Sequence, residues 1–167
     1  MTEALTYLKE NLESAIEYAA QYGKAKLREQ GHYASGKLER SFEAEVEVKL
    51  NGIATGKLLV EEYGIDQDTG IPKDQIKYKY TTLLPWIKII KPSISHKGAI
   101  AFAKNIKKKH EEEGMHTKKS KAYSATGRRT GWIKEGILDR EKEIEQIIDL
   151  AGFLQMVVED SLDNLES

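Results

Sequence analysis

The feature that most constrains this chain is a two-residue alternation from Phe42 to Leu50. Phe42, Ala44, Val46, Val48 and Leu50 alternate with Glu43, Glu45, Glu47 and Lys49. That period specifies a strand with one apolar and one charged face. Asn51-Gly52 follows, then a second run from Ile53 to Val60 that closes on Glu61-Glu62-Tyr63-Gly64. Asn-Gly between two such runs signals a hairpin, because type I′ turns need positive φ at both central residues. A sheet with one greasy face requires an apolar layer on that side only. The helices before and after the hairpin are its candidates.

Residues 3–30 read as an amphipathic helix, with Leu5, Leu8, Leu12, Ala15, Ile16, Ala19, Gly23 and Leu27 at three- and four-residue steps. Thr2 suits the N-cap and Gly31 the stop. At ~1.5 Å per residue this helix is roughly 40 Å long, longer than the hairpin it covers, so part of it is expected to serve a neighbouring subunit. Residues 65–75 are polar and aperiodic and read as a loop, with a third strand possible at Ile76 to Tyr80. Pro85 suits the first turn of a short helix starting near Leu84 and ended by Pro92. A clearer helix runs from Gly98 to Glu113 and stops at Gly114. Residues 115–131 read as a polar, basic segment with Gly127 and Gly131 as breakers, expected to be extended or mobile in an isolated subunit. Trp132, Ile133 and Ile137 then return the chain to something apolar, and a last helix is expected from Asp139 to Leu162.

The expected architecture is therefore one α+β domain over 1–167, with a long N-terminal helix packed on a small antiparallel β-sheet and further helices in the second half. Its segments are the 3–30 helix, a 36–80 hairpin or sheet with a long loop, an 81–113 helical stretch, a 114–131 basic loop and a 132–167 acidic helix. Apolar residues make up 40% and charged residues 32% of the 167 positions, which describes a globular chain with a large wetted surface. Cysteine is absent, which excludes disulfides and thiolate chemistry. No run approaches the ~20 apolar residues needed to span a bilayer, so no membrane partner is expected. The N-terminus lacks a secretion pattern, and synthesis in a reducing cytoplasm is the expectation.

The net charge of −1 conceals a polarity along the chain. Residues 104–129 hold nine basic side chains against three glutamates, whereas 135–167 hold ten acids against Arg140 and Lys142. Two readings follow. Both stretches are solvated or paired within one subunit, or the basic stretch of one subunit meets the acidic stretch of the next, head to tail. In the second reading Lys118, Lys119, Lys121, Arg128 and Arg129 face Glu141, Glu143 and Glu145.

Reactive constellations are not evident. Glu47-Val48-Lys49 has the form of a metal-nuclease fragment, but such sites need a further carboxylate upstream, and the first aspartate is Asp66. The triplet occupies the outward positions of an alternating strand. Asp66, Asp68 and Asp74 lack the spacing of a calcium loop and read as solvated. His32, His96, His110 and His116 show no paired ligand spacing and read as exposed. No nucleophile elbow, phosphate loop or dinucleotide fingerprint occurs. Catalytic, metal and cofactor residues are thus expected to be none. Duplex binding by the basic 104–129 stretch is the alternative function.

The order of the pieces resembles the tail-completion, or head–tail joining, proteins of tailed bacteriophages. The likeness is carried by the motif Ser35-Gly36-Lys37-Leu38-Glu39-Arg40-Ser41 after a long helix, by Glu62-Tyr63-Gly64 after the strands, by Leu84-Pro85-Trp86-Ile87, and by the helix from Ala99 to Lys109. It implies a structural virion protein made in the host cytoplasm, working without a cofactor as one copy in a homo-oligomeric ring at the head–tail junction or tail. Its implied partners are other copies, neighbouring neck or tail proteins, and DNA passing through the lumen without specific binding. On this likeness Gly36 lets the chain turn tightly into the strand, Ser41 satisfies local backbone groups, and Tyr63-Gly64 ends the sheet. The loop after Gly64 and the 115–131 segment are longer than the pattern.

Overall fold

The N-terminal periodic segment forms α1 (Glu3–Glu29), and successive parts of it pack on different elements. The computed structural model describes residues 3–32, 35–49 and 53–166, with the side chains of Tyr123 and 159–166 outside that description. Near its start α1 meets α8 (Leu150–Glu166), where the Tyr7 hydroxyl donates to Asp149 Oδ2 at 2.7 Å. Its middle covers the hairpin of β1 (Glu43–Val48) and β2 (Ala54–Leu59). A Cβ placed on Gly56 would lie 2.6 Å from Ile16 Cδ1, so the small residue admits the helix. Its end crosses α6 (Trp132–Gly136), where a Cβ on Gly136 would lie 3.0 Å from the Tyr22 carbonyl oxygen and 3.1 Å from Gly23 Cα. All three parts of α1 thus pack within the subunit.

The strands pair antiparallel, with Ala44↔Leu58, Val46↔Gly56 and Val48↔Ala54 toward α1 and Glu45↔Lys57 and Glu47↔Thr55 on the outer face. The Asn51-Gly52 turn lies outside the described residues. Ile76 to Tyr80 is no third strand: among the described residues the sheet is two-stranded, and 76–79 run without a ladder partner into a 3-10 turn at Tyr80–Leu83.

The stretch read as a loop after Gly64 begins with a helix. α2 (Lys37–Arg40) precedes the sheet and α3 (Tyr63–Thr69) follows it, so Tyr63-Gly64 opens a helix as well as leaving the sheet. A 3-10 turn at Lys73–Gln75 comes next. Periodicity could not reveal α3, because it is short and set by packing: a Cβ on Gly64 would lie 2.8 Å from Leu38 Cδ1 and 3.6 Å from Trp132 Cζ2. Leu27, Leu38 and Trp132 form the buried centre, ringed by Phe42, Val60, Ile133 and Ile137. Burying an indole removes about 150–250 Å² from water, worth about 4–6 kcal/mol at ~25 cal/mol per Å².

A second core lies apart. α4 (Leu84–Ile90) carries Pro85 in its first turn, and α5 (His96–Glu113) is capped by Ser95, whose Oγ accepts from the Gly98 N–H at 3.1 Å. α5 therefore starts two residues before Gly98. Ile87, Ala99 and Ala103 are its buried centre, with Tyr80, Leu83, Leu84, Ile94, Phe102 and Ile106 around them. This helical arm leaves and re-enters the body at one antiparallel bridge. The Ile71 N–H donates to the Met115 carbonyl at 2.5 Å and the Met115 N–H to the Ile71 carbonyl at 2.8 Å. Gly70 (φ 75°) and Gly114 (φ 84°) flank the bridge. A Cβ on Gly70 would lie 2.5 Å from the Met115 oxygen, and one on Gly114 would lie 2.8 Å from the Ile71 oxygen.

Residues 115–131 are not simply extended. They hold a 3-10 turn at Lys118–Tyr123, and the Ala125 N–H donates to the Glu29 carbonyl at 2.7 Å. The single acidic helix expected from Asp139 is also broken. A 3-10 turn (Leu138–Arg140) leads into α7 (Glu141–Ile147), and α8 starts afresh at Leu150. The apolar spacing runs through the break, but Ile148 turns to extended backbone after α7, and Asp149 caps the second helix by accepting from the Gly152 N–H at 2.9 Å. Among the described residues no helix is long and apolar enough to cross a membrane.

Gly114 combines positive φ with carbonyl contact, so Gly114→Ala should lower unfolding free energy by about 2–4 kcal/mol. Urea denaturation checks this, and an unchanged midpoint would contradict the closeness of the bridge.

Candidate functional site

The motif residues assemble on one side of the central core. Gly36 has φ 64°, a left-handed turn that suits glycine, and it leads into α2 before the strand. Ser35 Oγ accepts from the Lys37 N–H at 3.2 Å. Ser41 Oγ donates to the Leu38 carbonyl at 2.7 Å and accepts from the Glu61 N–H at 3.1 Å, which ties α2 to the exit of β2. Leu38 and Gly64 meet in the core, and Trp132 Nε1 donates to the Gly64 carbonyl at 3.2 Å. Tyr63 is exposed at the rim with the Lys37 ammonium 5.8 Å from its ring centre. Trp86 stands elsewhere, exposed on α4.

A polar seam, buried at Gln30 and half-buried at His32, His116 and Arg129, joins α1, α3 and the segment after the bridge, and sequence reasoning missed it. Gln30 is fully buried, its Nε2 donating to the Thr130 carbonyl at 3.0 Å. His32 sets Nε2 at 2.9 Å from the Arg129 carbonyl and Nδ1 at 3.4 Å from Arg129 Nη2. A neutral ring protonated on Nε2 satisfies both contacts, donating to the carbonyl and accepting from the guanidinium. The His116 ring centre is 5.0 Å from that of His32, and its Nε2 is 3.3 Å from the Gln67 carbonyl. Burial, then the nearby Arg129 charge, pushes His32 down to about 4. Burial, then His32 and Arg129, does the same to His116, also to about 4. Gln30 Oε1 and Arg129 Nε have no partner among the described residues. The seam leaves two histidines read as exposed half-buried, and a third departs from that reading too. His110 contacts the Tyr78 hydroxyl through Nδ1. Burial lowers His110, and burial followed by Glu111 raises Tyr78 to about 12.

Asp68, read as a solvated loop residue, caps α6. Its carboxylate accepts from the Ile133 N–H at 2.7 Å and its carbonyl from the Gly131 N–H at 2.8 Å. Among the described residues no three His, Asp or Glu side chains gather as metal ligands. Glu47 and Lys49 lie on the outer strand face and strand end, both exposed.

The candidate contact charges divide into two groups. Arg128 pairs with Glu135 at 2.8 Å, Arg129 lies in the seam, and Glu143 pairs with Arg140 at 3.1 Å. Lys118, Lys119, Lys121, Glu141 and Glu145 are exposed. The basic stretch is also partly neutralised: Lys109 meets Glu112 at 2.7 Å and Glu113 at 3.7 Å, and Lys107 pairs with Glu111.

Both seam histidines have folded pKa values below the ordinary 6.5, so the unfolded chain takes up protons first. Their contribution is complete above pH 6.5 and is lost as pH falls toward 4, at most about 3 kcal/mol each. Thermal melts should therefore shift down steeply between pH 7 and 4.5, and His32→Gln should flatten that slope. A melting midpoint independent of pH across this window would contradict the half-buried neutral pair.

No family model, curated protein or solved structure matches the chain.

Proposed function

We propose that this chain is a structural subunit of a tailed-bacteriophage virion, a ring-forming head–tail connector or tail-completion protein that works without a reactive centre. The observation that carries the reading is the segregation of exposed charge. Lys118, Lys119 and Lys121 project from the 3-10 turn after the bridge and form no ion pair among the described residues, while Glu141 and Glu145 are exposed on α7. Opposite patches on one chain favour head-to-tail contact between copies, which closes into a ring when the rotation permits. Arg128, Arg129 and Glu143 are engaged within the subunit and drop out of the proposed contact. The order of the Ser35–Ser41, Tyr63-Gly64 and Trp86 elements supports the phage assignment, and Leu38 and Gly64 of that series meet in the core.

The alternative, duplex binding through 104–129, is weakened because Lys107, Lys108 and Lys109 face Glu111, Glu112 and Glu113 on the same helix.

Negative-stain images of the purified protein should show rings. Reversing Lys118, Lys119 and Lys121 to Glu should shift sedimentation toward monomer while leaving helical content unchanged. Unchanged assembly after that reversal would remove these lysines from the contact, and a salt-sensitive gel shift by an obligate monomer would favour the alternative.

A further inference from the structure

Two apolar surfaces are left uncovered, and they differ in charge. From Leu150 to Val158, α8 holds nine residues with no charged side chain. Phe153 and Met156 are partly buried where α8 packs on α1, but Leu150, Leu154 and Val158 are 59%, 61% and 57% exposed. Spaced four apart, these three form a stripe on the side away from the body. A helix apolar on two sides with one side in water is incomplete as an isolated element.

The second surface is on the arm. Trp86, Ile89 and Ile90 of α4 are 39%, 47% and 40% exposed. Beside them an open groove is lined by Ile90, Lys91, Pro92, Ser93, Ile94 and Phe102. The arm between Ile71 and Met115 contains ten lysines and four acids, three of them the glutamates that pair with Lys107, Lys108 and Lys109, whereas 141–166 contain eight acids and one lysine. The arm is therefore apolar and basic, and the α7–α8 end is apolar and acidic.

We infer that the arm of one copy receives the outer stripe of α8 from the next copy, with Leu150, Leu154 and Val158 lying on Trp86, Ile89 and the groove beside Ile90. A second copy of this chain is the occupant because the chain carries the complement of each surface in both apolarity and charge. The two surfaces are different, so the contact runs from the arm of one copy to the α8 of another, and the series closes either reciprocally between two copies or as a larger ring. Each added copy leaves one arm and one α8 open until the series closes. This inference rests on the reading of the chain as self-assembling and names the surfaces through which it assembles; it does not rest on a place in a virion.

The test uses two blocked full-length variants, Trp86→Ser/Ile89→Ser on the arm and Leu154→Ser/Val158→Ser on α8. All four positions are exposed, and circular dichroism checks the fold. Wild type should sediment as a closed oligomer and each variant as a monomer. Mixed, the variants should give a species of twice the monomer mass and nothing larger, because only one intact arm–α8 contact remains. Reversing Lys88, Lys91 and Lys97 to Glu is the second arm variant, and it should behave as the first. Wild-type assembly that both blocked variants retain would overturn this inference and leave the self-assembly reading standing. A monomeric wild type at high concentration would overturn both. Arm variants that assemble normally but lose binding to duplex DNA or to anionic phosphatidylserine vesicles would overturn it in favour of those occupants.

Discussion

The burial of Trp132 is the contact on which the body depends. Its ring fills the space between the end of α1, α2 and the start of α3, and its N–H is satisfied by the Gly64 carbonyl. That one side chain fixes three separate stretches of sequence. The hairpin lies between α2 and α3 in the chain, so placing those two helices also anchors both ends of the sheet. The α1 face over Gly56 and the crossing at Gly136 then follow from how closely backbone can approach backbone.

The polar seam does a different kind of work. Hydrophobic burial is non-directional, whereas Gln30, His32, His116 and Arg129 make contacts that hold only in one arrangement. They join the end of α1 to the chain on either side of the 3-10 turn at Lys118–Tyr123, so that segment is held without a hydrophobic run of its own. Two uncharged imidazoles beside a guanidinium are compatible with burial only while they remain uncharged.

Much of this was legible in the chain and part was not. α1, the hairpin, the proline-led α4 and α5 announce themselves by period and by their end residues, and the α+β arrangement follows from them. The short α3 does not, because no period develops within seven residues and Leu38 and Trp132 decide its place. The break before α8 was available as an aspartate ahead of an apolar run, but the uninterrupted spacing of Ile144, Ile147, Ala151 and Leu154 argued for continuity. The motif residues were found by their order, yet the meeting of Leu38 with Gly64 requires contact across the fold. The seam histidines lie far apart in sequence, so no spacing rule could pair His32 with His116.

The bridge between Ile71 and Met115 has an architectural consequence. Because the excursion begins and ends at a single crossing, its length is decoupled from the geometry of everything below it. Chain added or removed between those two residues alters how far the molecule reaches while the floor it stands on stays put. The paired glycines act as a collar, marking where the tailorable part stops and the fixed remainder starts.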